Sequence, residues 1–280
     1  RNYVSIVLTD LDLSLVCSRR IRMPFQESET YFSFLRDLIE TSVRDSGISP
    51  KSLLGVGISL PVLIEENQKT IYYAKEITTS RDLYSRLSPY IPYPCLFFND
   101  ANSGGLAESW RGNASRPMLY LSLSNSVGGA TIWQDQKLVP GDNMRGSEFG
   151  HMTLVPNGRP CYCGKRGCMN AYCKASLLSD FTGGSLEDFF QKVRRNENKG
   201  FRDYFYQEYL SYLALTVNNL RLCYDYDIIL GGYVGAHMDF CIDDFRQMVL
   251  DLNPFETDGS FIRVCHYRTE ASAVGAAIYY

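Results

Sequence analysis

Apolar and polar residues alternate through VSIVLTDLDLSLVCSRRI near the N-terminus, which predicts one or two antiparallel strands around an Asp-rich turn. The period then changes. In YFSFLRDLIETSVRDSG, Phe32, Leu35, Leu38, Ile39 and Val43 recur at helical spacing and Gly47 offers a C-cap. LLGVGISLPVLI, residues 53–64, reads as a continuous apolar strand entering a proline-containing loop. CLFFND, 95–100, reads as a second short strand, at whose end ANSGGLAESWRG begins a helix. Beyond Pro117, MLYLSLSNSVGGATIWQDQKLV predicts two strands joined by a Ser/Gly-rich turn. The span 142–174 is polar and loop-rich. A tyrosine-rich helix over about 204–224, the strand DIILGG, a helix over about 236–250, the strand SFIRVCHY and a small-residue helix EASAVGAAIYY complete the pattern.

Strands and helices alternate through both halves, so the fold class is α/β. Each half runs strand, Gly/Ser turn, strand and later helix, an order that hints at a duplicated unit. A short polar hinge near 112–116 divides an N-terminal lobe, 1–114, from a C-terminal lobe, 115–269, with the last helix, 270–280, available to complete the first lobe. No solenoid-length repeat or low-complexity tract interrupts this order.

Composition narrows the function classes. A chain of 280 residues with 45% hydrophobic and 21% charged residues can bury a substantial core. Its net charge of −3 leaves no basic footprint for nucleic acid. No apolar run is long enough for a membrane span and no signal-peptide pattern opens the chain, so the expected location is cytoplasmic. Of the nine cysteines, Cys17, Cys95, Cys173, Cys223, Cys241 and Cys265 lie scattered among apolar or aromatic neighbours. That distribution suits reduced, buried thiols rather than a disulfide framework.

The other three cysteines cluster in EFGHMTLVPNGRPCYCGKRGCMN, 148–170. Cys161, Cys163 and Cys168 follow His151, and three thiolates with one imidazole form the ligand set a structural zinc ion prefers. Gly164 and Gly167 let the turn fold back on itself, and Pro156, Gly158 and Pro160 suit a loop returning to His151. The competing reading is three buried thiols beside a surface histidine. A Cys-x-Cys pair in a Gly/Pro-rich loop favours the metal. Four protein ligands leave no position for a reactive water, so the expected zinc is structural.

The segment GSEFGHMTLVPNGRPCYCGKRGCMNAY resembles the signature of the ROK family, which comprises repressors, sugar kinases and relatives. The resemblance extends to FFNDANSGGLAESWRG, GVGISLP, IILGG and the closing AVGAA, and so covers nearly the whole chain. It implies two actin-like (ribonuclease H-like) α/β lobes around a sugar cleft, assembled as a homodimer or a dimer of dimers. By the same resemblance, Asn99 binds sugar, and Asp100 binds it and serves as general base in a kinase. On residue type alone, Asp100 is as readily a helix N-cap. Glu148 and His151 match the Glu-x-x-His pair, in which the Glu holds sugar hydroxyls and the His ligates zinc and can touch the sugar; the bland alternative for Glu148 is a surface ion pair. Asn170 stands where the family carries a Glu that also faces sugar. Gly128, Gly129, Gly231 and Gly232 match glycines on the nucleotide side.

Departures from the family pattern favour sensing over catalysis. The family's kinases carry an Asp-x-Gly-Gly-Thr phosphate turn. If VSIVLTD is the first strand, the matching positions here are Val7, Leu8, Thr9 and Asp10; if it is the second, the first strand lies outside this sequence. The second phosphate turn keeps only Gly128 and Gly129, with Ser124 and Ser126 where glycines are expected, and Val62 replaces a glycine after the loop proline. The expected function is therefore the sugar-sensing and dimerisation portion of a ROK transcriptional regulator, contacting DNA only through an upstream helix-turn-helix absent from this sequence. The expected ligand is a sugar or sugar phosphate. The alternative is an ATP-dependent hexose or amino-sugar kinase using Mg-ATP. A zinc-ribbon nucleic-acid binder is disfavoured by the net charge of −3 and the lack of a second ligand pair.

Overall fold

The structure is a computed structural model and describes residues 3–112 and 116–280. Strands β1 (Tyr3–Thr9) and β2 (Leu15–Arg22) pair antiparallel around a turn in which Asp10 Oδ1 accepts the Asp12 and Ser14 N–H groups. Helix α1 (Glu29–Ser46) starts where Ser28 caps the Tyr31 N–H and stops where Gly47 turns left-handed, φ 72°. The expected single strand over 53–64 is broken: β3 (Val56–Leu60) ends at Pro61, and β4 (Leu63–Ile64) turns away to pair antiparallel with β5 (Ile71–Tyr73). Proline supplies no N–H to a ladder, which is the physical reason for the break. Helix α2 (Leu83–Leu87) leads to β6 (Cys95–Asn99), which lies parallel to β3. Helix α3 (Asp100–Arg111) follows without a linker.

The second half is built on one four-stranded sheet. Strands β7 (Met118–Leu123) and β8 (Val127–Ile132) form the expected hairpin, β9 (Asp227–Gly231) adds parallel to β7, and β10 (Ile262–Val264) adds parallel to β9. Between β8 and β9 run α4 (Asn170–Cys173), α5 (Ser176–Ser179), α6 (Leu186–Arg194) and α7 (Lys199–Tyr204). The last continues through a π-helical turn at Phe205–Tyr209 into α8 (Leu210–Tyr224). Thus the tyrosine-rich helix begins a turn earlier than its pattern predicts, and Asn198 caps it.

The helix expected over 236–250 is interrupted. Helix α9 (Gly232–Gly235), a 3-10 turn at Met238–Cys241 and α10 (Ile242–Leu250) replace it. Strand β10 is also shorter than SFIRVCHY suggests. Helix α11 (Ala271–Ala277) ends the chain against α3, β3 and β1. The expected hinge at 112–116, and with it the boundary between the proposed lobes, falls largely on residues 113–115, outside the described residues.

Helices α3 and α11 lie on one face of the C-terminal sheet, where Leu106, Ala107 and Val274 meet Tyr120, Ala130 and Ile229. The opposite face packs on α8, with Leu213 and Val217 against Leu119 and Leu230. A separate core under α1 joins Phe32, Val43, Leu83 and Phe97. These two sheet systems and the helices between them place the end of β6, the β7–β8 turn and the β9–α9 turn around one cleft.

Candidate functional site

The loop from 148 to 170 brings its four predicted ligands together. The ligand atoms of His151, Cys161, Cys163 and Cys168 all lie within 4.8 Å of one another. Cys163 and Cys168 sulfurs are 3.8 Å apart, and His151 Nδ1 is 3.9 Å from Cys161 Sγ. Donors placed tetrahedrally about 2.3 Å from a common centre are separated by about 3.8 Å, whereas a disulfide would need about 2.05 Å. The donor set and its spacing thus fit a four-coordinate metal ion.

Backbone geometry explains how so short a segment manages this. Gly167 sits at φ +81° with its Cα against the Val155 carbonyl, where a Cβ would lie 1.8 Å from that oxygen. Its own carbonyl accepts the Leu154 and Val155 N–H groups, and the Cys161 N–H closes the inner turn on Lys165 O. Arg159 pairs with Glu208 and so ties the loop to the π-helical turn before α8. Outside the four donors, the Tyr162 hydroxyl is 3.1 Å from His151 Nε2 and Glu148 Oε2 is 3.9 Å from it. Those contacts leave Nδ1 for a metal. Burial lowers the His151 pKa, which keeps the imidazole in the neutral, ligating form.

Glu148 precedes a 3-10 turn, Phe149–His151, so the Glu-x-x-His pair does share one face. The Glu148 carboxyl is raised above its usual range, first by burial and then by the charge of Asp100. Asp100 is itself raised by burial, with Glu76 adding to the shift. Asp100 thus feels the charge of Glu76, and Glu148 that of Asp100. Asn99, not Asp100, caps α3: its Oδ1 accepts the Asn102 N–H and its amide donates to Val62 O. Each end of that amide retains one further hydrogen-bonding position. Asp100 is left bordering a cavity of about 560 Å³ that Glu76 also lines.

Asn170 is placed differently. It is buried, its Oδ1 accepts the Val127 N–H at 2.8 Å, and its amide lies 4.0 Å from Cys161 Sγ. The side chain thus clamps the start of β8 to the cysteine loop.

The nucleotide-side glycines also separate. Gly128 and Gly129 are inside β8, packed on Ala101 and Phe149 respectively, and a Cβ on Gly129 would meet the Phe149 ring at 2.2 Å. Gly231 lies under Tyr120. Gly232 borders the cavity, but its N–H donates to the Tyr120 hydroxyl and the Tyr233 N–H to Ser124 Oγ. In the β7–β8 turn, the Ser124 N–H is bonded to Ser126 O. The Ser124, Gly232 and Tyr233 amides beside the cavity are thus satisfied from within the chain.

Two residues of this region escape sequence reading. Glu76 lies in AKEITTS, which has no periodicity to orient it, and Tyr162 is merely the middle of a Cys-x-Cys. Four residues before Glu76, the Tyr72 hydroxyl donates at 3.2 Å to Asn143 O, in the loop that precedes Glu148.

Comparison with known proteins places these features. The ROK family model matches residues 1–280. The xylose repressor of Bacillus spizizenii is 31% identical over 179 residues, 63% of this chain and 46% of the repressor, so the chain spans about half the length of that relative. The glucokinase of Halalkalibacterium halodurans is 32% identical over 266 residues, 86% of this chain and 80% of the enzyme. Among solved structures, a ROK family glucokinase from Streptomyces griseus in complex with glucose and AMPPNP superposes with a TM-score of 0.78 at 20% identity, covering 99% of this chain and 95% of the other. The fold is thus the two-lobed actin-like fold of the sugar kinases and repressors. No helix among the described residues is long and apolar enough to cross a membrane.

Proposed function

Because the chain belongs to the ROK family, we propose that it binds a sugar in the cleft beside Asp100 and Glu148 and acts as the sensing and dimerisation part of a transcriptional regulator. Asn99, Asp100, Glu148 and His151 present the polar groups that read sugar hydroxyls, and Asn170 fixes the wall behind them. One zinc ion held by His151, Cys161, Cys163 and Cys168 orders the loop that carries Glu148. With four protein donors it supplies structural rigidity rather than Lewis-acid chemistry. The sugar shifts the regulator by binding one arrangement of the two lobes more tightly than another. Contact with DNA belongs to a domain outside residues 1–280, and the working unit is a homodimer or a dimer of dimers in the cytoplasm.

The observation carrying this reading is the state of the phosphate side. A kinase of this fold works by holding phosphates and metal on free amides and small turns. Here the Tyr120 and Ser124 hydroxyls occupy the amides of Gly232 and Tyr233. A second reading has support in the 32% identity to a glucokinase over most of the chain. In it, Asp100 takes the proton of the attacking hydroxyl while Mg-ATP binds across the cleft.

Calorimetry against a sugar panel containing glucose, xylose and amino sugars, with and without Mg-ATP, separates the two. The regulator reading expects saturable sugar binding that ATP does not change, and no sugar-dependent ATP consumption. Robust turnover that Asp100→Asn abolishes would establish the kinase reading instead. Absence of binding to every sugar would overturn both.

A further inference from the structure

Residue 162 stands between two metal donors. Cys161 and Cys163 turn their thiols toward the cluster, and the Gly164 N–H closes a turn on Cys161 O. The side chain between them is thereby sent outward: Cys161 is buried, whereas Tyr162 keeps 39% of its surface exposed. Its ring meets the His151 ring edge-on, with centroids 5.3 Å apart and planes at 64°. Its hydroxyl lies 3.1 Å from His151 Nε2, its one hydrogen-bond partner among the described residues.

The tautomer of His151 sets the direction of that bond. Nδ1 faces Cys161 Sγ at 3.9 Å, on the side of the other donors, so the proton of the neutral imidazole resides on Nε2. That N–H donates to the Tyr162 oxygen. Glu148 Oε2, at 3.9 Å from the same nitrogen, is too far to accept it. A phenol also carries one proton of its own, so the Tyr162 O–H remains able to donate elsewhere. The groups around it belong to the cleft. Burial raises the Tyr162 pKa and the charges of Glu76 and Glu148 raise it further, which keeps the phenol a donor. Glu76 in turn lines the cavity that Asp100 borders.

We propose that Tyr162 is a specificity residue of the sugar site: its O–H donates to one hydroxyl of the bound sugar, and His151 reads that position through the phenol. The proposal rests on the sugar-binding reading of the cleft. A sugar without the matching hydroxyl leaves the phenol donor unpaired beside carboxylates and is rejected for that reason. The ring turns about only two side-chain torsions, and the backbone on either side of it is fixed by Cys161 and Cys163, so little freedom is lost on binding. Residue 162 contributes no metal ligand. Its side chain is therefore a place where sugar preference is set without changing the four donors.

Two measurements on the zinc-loaded chain test this. The first needs no sugar: with labelled histidine, NMR should show His151, one of three histidines, as the Nε2–H tautomer. Tyr162→Phe should speed exchange of that proton by about tenfold, as loss of one hydrogen bond predicts. Metal ligation through Nε2 would overturn the proposal. The second is calorimetry with glucose, xylose and glucosamine and the monodeoxy forms of each, zinc being kept in excess. Tyr162→Phe should weaken the sugar that the unaltered chain binds by about fivefold to tenfold. One deoxy form should bind the unaltered chain more weakly by the same factor, and should bind Tyr162→Phe no more weakly than it binds the unaltered chain. A loss on Tyr162→Phe that is equal for the parent sugar and every deoxy form would mark the residue as structural and overturn the proposal, as would no loss at all. In those cases sugar binding itself stands. Failure of the unaltered chain to bind any of the three sugars would instead overturn the sugar-binding reading, and this assignment with it.

Discussion

Strands β7 and β3 are alike in sequence and unlike in surroundings. MLYLSL and VGISL are both short, apolar and small-residue-tolerant, and both run parallel to a neighbour. In β7 all six residues are buried, because β8 and β9 flank it and helices cover both faces. In β3 no residue is fully buried, because among the described residues only β6 flanks it. Hydropathy makes a strand, but its lateral neighbours decide how much of it leaves water. The C-terminal sheet is therefore the more deeply buried of the two and carries more of the stability.

Removing side chains from the two strands should reproduce that contrast. Leu121→Ala in β7 is expected to cost about 3–5 kcal/mol by denaturant unfolding, the range for a fully buried leucine. Ile58→Ala in β3 should cost about 1 kcal/mol, since much of its surface is already hydrated. Equal losses would mean that β3 is closed in solution and would break the comparison.

The cysteine loop extends the contrast, for its polar groups are met within the chain. Asn170→Ala leaves the Val127 N–H buried without its acceptor, and should cost about 1–3 kcal/mol of stability. No loss would show that water replaces the amide. Smallest in stability is Tyr162→Phe, which removes the hydroxyl from His151 Nε2. It should weaken metal binding about tenfold in a chelator competition, the lower end for loss of a contact behind a ligand. Elemental analysis of the unaltered chain should find about one zinc per chain, as a closed four-ligand site requires.

Much of the cleft was legible in the sequence because local chemistry dictates it. A Cys-x-Cys in a Gly/Pro-rich loop brings its own donors together, and His151 joins them through a three-residue turn. Glu148 and Asp100 are named together by the family resemblance, and the charge of Asp100 adds to the burial that raises the Glu148 carboxyl. Less legible was Asn99, whose amide caps α3, a local bond that Asp100 offered equally well on residue type. Glu76 was out of reach, since it follows a β4–β5 hairpin that forms only after Pro61 breaks an apolar run that reads as continuous.

By itself the sequence determined the order of most strands and helices, the Cys/His cluster and the family, because each rests on periodicity, turn chemistry or short-range ligand spacing. Tertiary structure alone decided that Asn170 faces Val127 and Cys161, that Tyr120 and Ser124 occupy the amides beside the cleft, and that β1 and β3 line one cavity. Those outcomes depend on which distant segments lie side by side, and hydropathy along a chain carries no record of lateral neighbours.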